Sequence, residues 1–367
     1  MALLSSGPQA PAAPDRPAPL DPGTDPATPT RRTPAGSGSA AAHGSPQGPR
    51  VLLSARPDQL DSTLALRRVA AHLGDLRPVG AEDVDPPPVA ALVCDDVART
   101  EHLLGLGVPV VHLISGHPVG GPATEHLPAG TPAAGTPAAD NPETDAPPER
   151  ALGRVHRPGW LPAAGPAARG VRPTGVLAPQ RTGRSRSRSG TLLLLSLWRV
   201  PAAEAEAFAG AALPALVAAA LHRTGGCTVV ADTGLDLLRS ALGGLTGRPG
   251  LRLGQAAETD PDALHAEAGV FLASPVLGAL ALAQARRAPL ALLPALGPAQ
   301  RALAEQLAGV LPLPSAEDPA DPGLWAQSGA GGAPAAGPWH LLDPALDDLR
   351  GAQRVARTLR QLALAPL

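Results

Sequence analysis

The 367-residue chain has no lysine and no tyrosine, and it carries only two phenylalanines, one methionine and two cysteines. All thirty basic residues are therefore arginine, and alanine and leucine fill most apolar positions, the signature of a GC-rich coding sequence more than of a function. Cys94 and Cys227 stand far apart, which speaks against a disulfide framework and a cysteine-based metal site and fits a reducing, cytoplasmic setting. The net charge is −2 with acids and arginines interspersed, so there is no basic field with which to grip nucleic acid or an anionic membrane. No apolar signal segment opens the chain, and Arg286 and Arg287 interrupt its longest apolar run, so neither a membrane nor a nucleic acid is expected as a partner. Aromatics are scarce around "RSRSRS" at 184–189, where only Trp198 is near, and a solvated linker suits that segment better than an RNA-binding one.

What the chain has in excess is glycine and proline, 41 and 46 residues, concentrated in a few segments. Residues 1–49 hold eleven prolines and no apolar period, and are expected to form a disordered tail. Residues 116–149, with the near-repeat "TPAAGTPAAD", look like a disordered insertion, and 180–190 like a basic linker. A Pro/Gly loop is expected to end the segment 191–338.

Between these breaks short apolar runs alternate with amphipathic stretches. "RVLLSA" (50–55) predicts a strand, "DSTLALRRVAAHLG" (61–74) a helix capped by Asp61, "VAALV" (89–93) a strand, 97–105 a helix and "VPVVHLI" (108–114) a third strand. A second series starts with "TLLLLSLW" (191–198), a run apolar on both faces, followed by a helix at 202–222, "CTVVAD" (227–232), a helix at 234–243, "LRLG" (251–254) and a short helix at 260–268. The stretch "VFLASPVLGALALAQARRAPLALLP" (270–294) then reads as strand, Ser-Pro turn, helix and strand. This alternation predicts an α/β protein of two Rossmann-like domains with mostly parallel sheets, 50–179 and 191–338, followed by an amphipathic helix at 346–364.

Such units take ligands at the carboxyl ends of strands and at helix N-termini. That singles out Ser274 and Pro275 at the strand-to-helix turn, Ser196 after the first strand of the second domain, and Asp58 after the first strand of the first. Ser274 either meets a pyrophosphate from a turn open to the cleft or caps its own helix. Asp58 is the candidate general base, because Asp61 is assigned to its helix cap. Asp95 and Asp96 form a carboxylate pair with no third ligand at metal-binding spacing, so no metal is expected, and His112 and His117 flank the end of the third strand. No nucleophile elbow, Walker loop or zinc motif occurs.

The layout of "DPDALHAEAGVFLASPVLGALALAQARRAPLALLPALGPAQRALAEQLAG" resembles the donor segment of GT-B glycosyltransferases. In particular it resembles the group related to cytosylglucuronic acid (CGA) synthase, which joins cytosine to glucuronic acid from UDP-glucuronate. The resemblance implies a UDP-sugar donor, UDP-glucuronate among the candidates, with no cofactor beyond it. It also implies a small acceptor from specialised metabolism, Gln300 on a sugar hydroxyl, and residues 339–367 returning as a helix to the first domain. The ribose-binding Glu of that group corresponds to Leu282 here, its acidic residue before Gln to Ala299, and neither phosphate loop contains glycine. Arg286 and Arg287 have the charge to meet a glucuronate carboxylate, but their late helix positions predict solvent. Two readings follow, an active transferase and a catalytically silent relative that binds a ligand or partner; a third, a different doubly wound protein, shares only the architecture.

Overall fold

The first half begins with β1 (Arg50–Ala55) and α1 (Leu60–Ala70), then the short β2 (Arg77–Val79), β3 (Ala90–Cys94), α2 (Val97–Gly105), β4 (Val110–Leu113), β5 (Arg154–Arg157) and β6 (Val171–Pro173). These strands form one sheet in the order β2-β1-β3-β4-β5-β6, and every pairing is parallel. β2 is not signalled by the sequence, because three residues that include Pro78 carry no alternation and suit only an edge. The structure is a computed structural model and describes residues 48–80, 87–116, 154–157, 171–245, 247–326, 337–342 and 348–365. The expected disordered tail, apart from its last two residues, and the insertion after residue 116 lie outside the described residues.

The second half runs β7 (Ser189–Leu195), α3 (Ala202–Ala207), a π-helical turn at Phe208–Ala212, α4 (Leu213–Thr224), β8 (Cys227–Ala231), α5 (Leu235–Ala241), β9 (Leu251–Gln255), α6 (Pro261–Glu267), β10 (Ala268–Ala273), α7 (Leu277–Ala285), β11 (Ala291–Leu292), α8 (Gly297–Ala308) and the short α9 (Pro322–Trp325). Its sheet has the order β11-β10-β7-β8-β9 and is also parallel throughout. The leucine run of β7 is central, with Leu192 and Leu194 entering the core on one face and Leu193 and Leu195 the core on the other. Both faces being covered is the reason the run shows no polar alternation.

The continuous helical path Ala202–Thr224, 23 residues with an 18-residue window of mean hydropathy 1.4, is long and apolar enough to cross a bilayer by length and composition, a segment that the reading from the longest apolar run passes over. Here Phe208, Leu213, Leu216, Val217 and Ala220 pack in the core beside β7 and β8. The final helix, α10 (Gly351–Leu364), lies on the first sheet. Ala352, Val355, Ala356 and Leu359 join Val51, Val69, Leu92 and Val111 in one core. It enters through a close backbone contact, Gly351 N donating to Val176 O at 3.0 Å, where a Cβ on Gly351 would stand 2.6 Å from that oxygen. The helix starts five residues later than the expected 346, and Leu349, ahead of it, is exposed.

Candidate functional site between the two sheets

Strand order reverses between β7 and β10 in the second sheet and between β1 and β3 in the first, and such switch points are where open parallel sheets form crevices. In this protein the two switch points meet, so the candidate site is built from the loops that leave these four strands.

On the side of the second sheet, Ser196 leaves β7 and Ser274 leaves β10. Ser274 Oγ accepts the Ser196 amide at 3.0 Å and its own amide donates to Leu194 O at 2.9 Å. Ser274 is 0% exposed, so the sequence expectation of a turn open to a cleft is corrected. Nor does it cap a helix, since the N-cap of α7 is Val276 and no side chain of that turn bonds to its amides. Pro275 is buried beside it. Gln300, on α8, is buried as well, its Nε2 donating to Ser196 O at 2.8 Å and its Oε1 accepting the Leu296 amide at 3.1 Å.

The residue that ties these groups together is Asp232, after β8. Its carboxylate accepts the Ser196 hydroxyl at 2.6 Å, the Leu197 and Thr233 amides at 2.8 Å each, and the amide of Leu60, the first residue of α1, at 3.1 Å. Burial pushes its pKa up to about 6 against these four bonds. The four donors favour the anion and burial disfavours it, and burial is the larger effect.

On the side of the first sheet, α1 begins at Leu60 and Asp61 lies inside its first turn, so Asp61 does not cap its own helix. Its Oδ1 instead accepts the amide of Gly278 at 2.6 Å, closing the N-terminus of α7. Burial raises the Asp61 pKa to about 7, with the Gly278 amide opposing and the charge of Asp95 adding to the rise. Gly278 is needed for this approach, because a Cβ there would stand 2.6 Å from Leu64 Cδ1 and 2.9 Å from Asp61 Oδ1.

Seven residues along α1, Arg68 crosses the same seam. Its guanidinium, 2% exposed, holds Asp262 of α6 through two bonds at 3.0 and 2.7 Å and donates to Leu177 O and Gly278 O at 3.0 Å each. A cavity of about 10 Å³ lined by Asp61, Ala65, Arg68, Ser115, Leu277 and Gly278 remains between α1 and α7. It has room for about one water.

Asp58 lies at the mouth of the seam, half-exposed and paired with Arg56 at 2.9 Å, which holds its carboxyl below the usual range. Trp198 stands beside it with the guanidinium carbons of Arg56 and Arg199 at 5.9 and 4.5 Å from its ring centre, close enough for cation–π attraction. Asp95 and Asp96 diverge: Asp95, at φ 57, accepts both the amide and the hydroxyl of Ser115, while Asp96 caps α2 through the Arg99 amide. His112 is buried, with Nδ1 2.8 Å from Thr100 Oγ1, and so does not line the seam; His117 lies outside the described residues. Arg286 was expected to face solvent, but it sits at the far end of α7 and donates to Asp262 O, His265 Nδ1 and Arg181 O.

The structure thus brings Ser196, Ser274, Pro275 and Gln300 together and leaves Asp58 at the rim. Sequence reasoning missed Asp232 and Arg68 and gave Asp61 the wrong partner. One signal was available, since Asp232 ends an otherwise apolar strand next to the switch-point strand β7. Nothing local announces that Arg68 faces α6 and α7 in the other half of the chain.

A model of the family described as CGA synthase-related protein matches residues 51–367. No curated protein matches the chain. Among solved structures, the glycotransferase of kitacinnamycin is 15% identical, with 86% of this chain and 100% of that chain covered at a TM-score of 0.47. The spinosyn rhamnosyltransferase SpnG complexed with thymidine diphosphate is 14% identical, with 86% and 96% covered and a TM-score of 0.42. MnaA of S. aureus in its UDP co-structure is 12% identical, with 85% and 95% covered and a TM-score of 0.44.

Proposed function

Because this chain belongs to the CGA synthase-related family, we propose that it is a sugar-transferring protein of GT-B type whose nucleotide-sugar site is the seam between α1 and α7. The donor is a UDP-sugar, with UDP-glucuronate the first to test, and the acceptor is a small molecule. The observation that carries the reading is that a carboxylate already sits on the amide of Gly278, at the N-terminus of a nine-residue helix leaving a switch-point strand. An anion is what that position takes, and a diphosphate has the same chemistry. Ser196, Ser274, Pro275 and Gln300 then form the floor beneath the diphosphate and sugar, held in shape by their bonds to one another and to Leu194 O.

The acceptor's nucleophilic atom attacks the anomeric carbon, the bond from that carbon to the phosphate oxygen breaks, and UDP leaves with its charge against the α7 amides. The acceptor proton needs a base near its working pH. Asp61, beside the Gly278 amide that the donor phosphate takes, is a better base than Asp58, whose carboxyl is depressed by its bond to Arg56. Asp61 becomes available once the seam has opened and the donor has replaced it on α7. No cofactor is required for this step.

A second reading, a relative that binds without turnover, is favoured by Leu282. It stands where the family's ribose-holding Glu is implied, and it is wholly buried. The test is release of UDP from a panel of UDP-sugars, UDP-glucuronate included, with pooled small acceptors. The transferase reading expects acceptor-dependent UDP release that Asp61→Asn lowers at least about a hundredfold. Binding of UDP with no release from any donor supports the second reading.

A further inference from the structure

Helices α1 and α7 begin without a side-chain cap of their own. The N-cap of α1 is Gln59 and that of α7 is Val276, and neither side chain bonds to a helix amide. Each helix receives a carboxylate from the opposite half of the chain. Asp232, from the second sheet, takes the Leu60 amide of α1, and Asp61, from α1, takes the Gly278 amide of α7. Arg68 spans the same seam to Asp262 and to two carbonyl oxygens, one of them Gly278 O. Side-chain caps are ordinarily local, and a local cap holds whether or not domains meet. These two hold only while the halves are pressed together.

We propose that the exchanged caps Asp61–Gly278 and Asp232–Leu60 form a two-part interdomain latch, in which the loss of either cap frees both helix N-termini. The inference stands apart from the sugar-transfer reading, because it concerns how the halves are held and not what enters between them. The carboxylates act as a unit because one rigid element, the first turn of α1, carries the donor of one cap and the acceptor of the other. Leu60 and Asp61 are adjacent residues, so a shift of that turn away from the second half breaks both bonds together.

Amide hydrogen exchange in the full chain tests this through a crosswise effect. Asp232→Asn does not touch α7, and Asp61→Asn does not touch the Leu60 amide. The latch predicts that each variant accelerates exchange at both Leu60 and Gly278, by about ten- to hundredfold for the loss of a hydrogen bond to a charged group. Amides inside β3 and β7 keep their protection. Arg68→Lys gives the same pattern without altering either cap, and it reads the same amides should an Asp variant not fold. Acceleration confined to the amide each residue bonds, or equal acceleration through both sheets, overturns the proposal.

Discussion

The Asp61 carboxylate and the Gly278 amide come from positions 217 residues apart and meet at 2.6 Å. Through that bond the second residue of one helix closes the start of another in the opposite half. The seam follows from it, since Leu64 and Arg68, one and two turns on from Asp61, bring the rest of α1 against α7 and α6.

The crossing tolerates no side chain at Gly278. Gly278→Val gains at most about 1 kcal/mol of helix propensity and forces Leu64 and Asp61 aside, at a net cost of about 2 kcal/mol. Urea unfolding of parent and variant measures it. An unchanged midpoint means that α1 and α7 are not in close contact.

Arg68 is the costliest contact to break. Arg68→Ala leaves Asp262 without its partner and frees two carbonyl oxygens, a loss of about 3 kcal/mol, toward the low end for buried pairs because Asp262 keeps some access to water. Arg68→Met restores the packing and recovers part of it. Chemical denaturation of both variants checks the order parent, Met, Ala.

The raised pKa values of Asp61 and Asp232 give stability a direction with pH. Both carboxyls, raised to about 7 and about 6 from an ordinary value near 3.8, bind a proton more tightly folded than unfolded. Their contribution is present at low pH and is lost as pH rises from about 4 toward the folded values. The buried His112 and His265 work the other way, because their depressed pKa values give stability that is lost as pH falls. The test is therefore a difference: the stability of Asp61→Asn relative to the parent should rise as pH goes from about 4 to about 7. A parallel dependence of the two proteins contradicts the assignment.

Much of the fold was legible because burial on both faces leaves apolar runs that local reading detects, such as Leu192–Leu195 and Ala90–Val93. The alternation with helices then leads to parallel sheets. The site was less legible because its polar groups pair across long separations. A local reading gives Asp61 to its own helix, whereas Asp232, from the other half, already serves that helix at Leu60. Ser274 and Gln300 were found at the right turn and helix, yet their exposure was misjudged, since the neighbours that bury them come from β7 and its loop.

Leu282, fully buried in the core around α7, has no route to water. Leu282→Glu therefore buries an unpaired carboxyl and costs about 3 kcal/mol or more, without gaining nucleotide affinity. Tighter binding of UDP by a stable variant would place that side chain in the seam after all.

Thermal unfolding with UDP and UDP-glucuronate, in the parent and in Asp61→Ala, addresses the central claim that the seam is a nucleotide-sugar site shut by Asp61. At about a hundred times its dissociation constant a ligand adds about 2.7 kcal/mol. The account predicts an upward shift in both proteins, reached at lower ligand concentration in Asp61→Ala because the competing carboxylate is gone. No shift in either protein with any uridine nucleotide would contradict it.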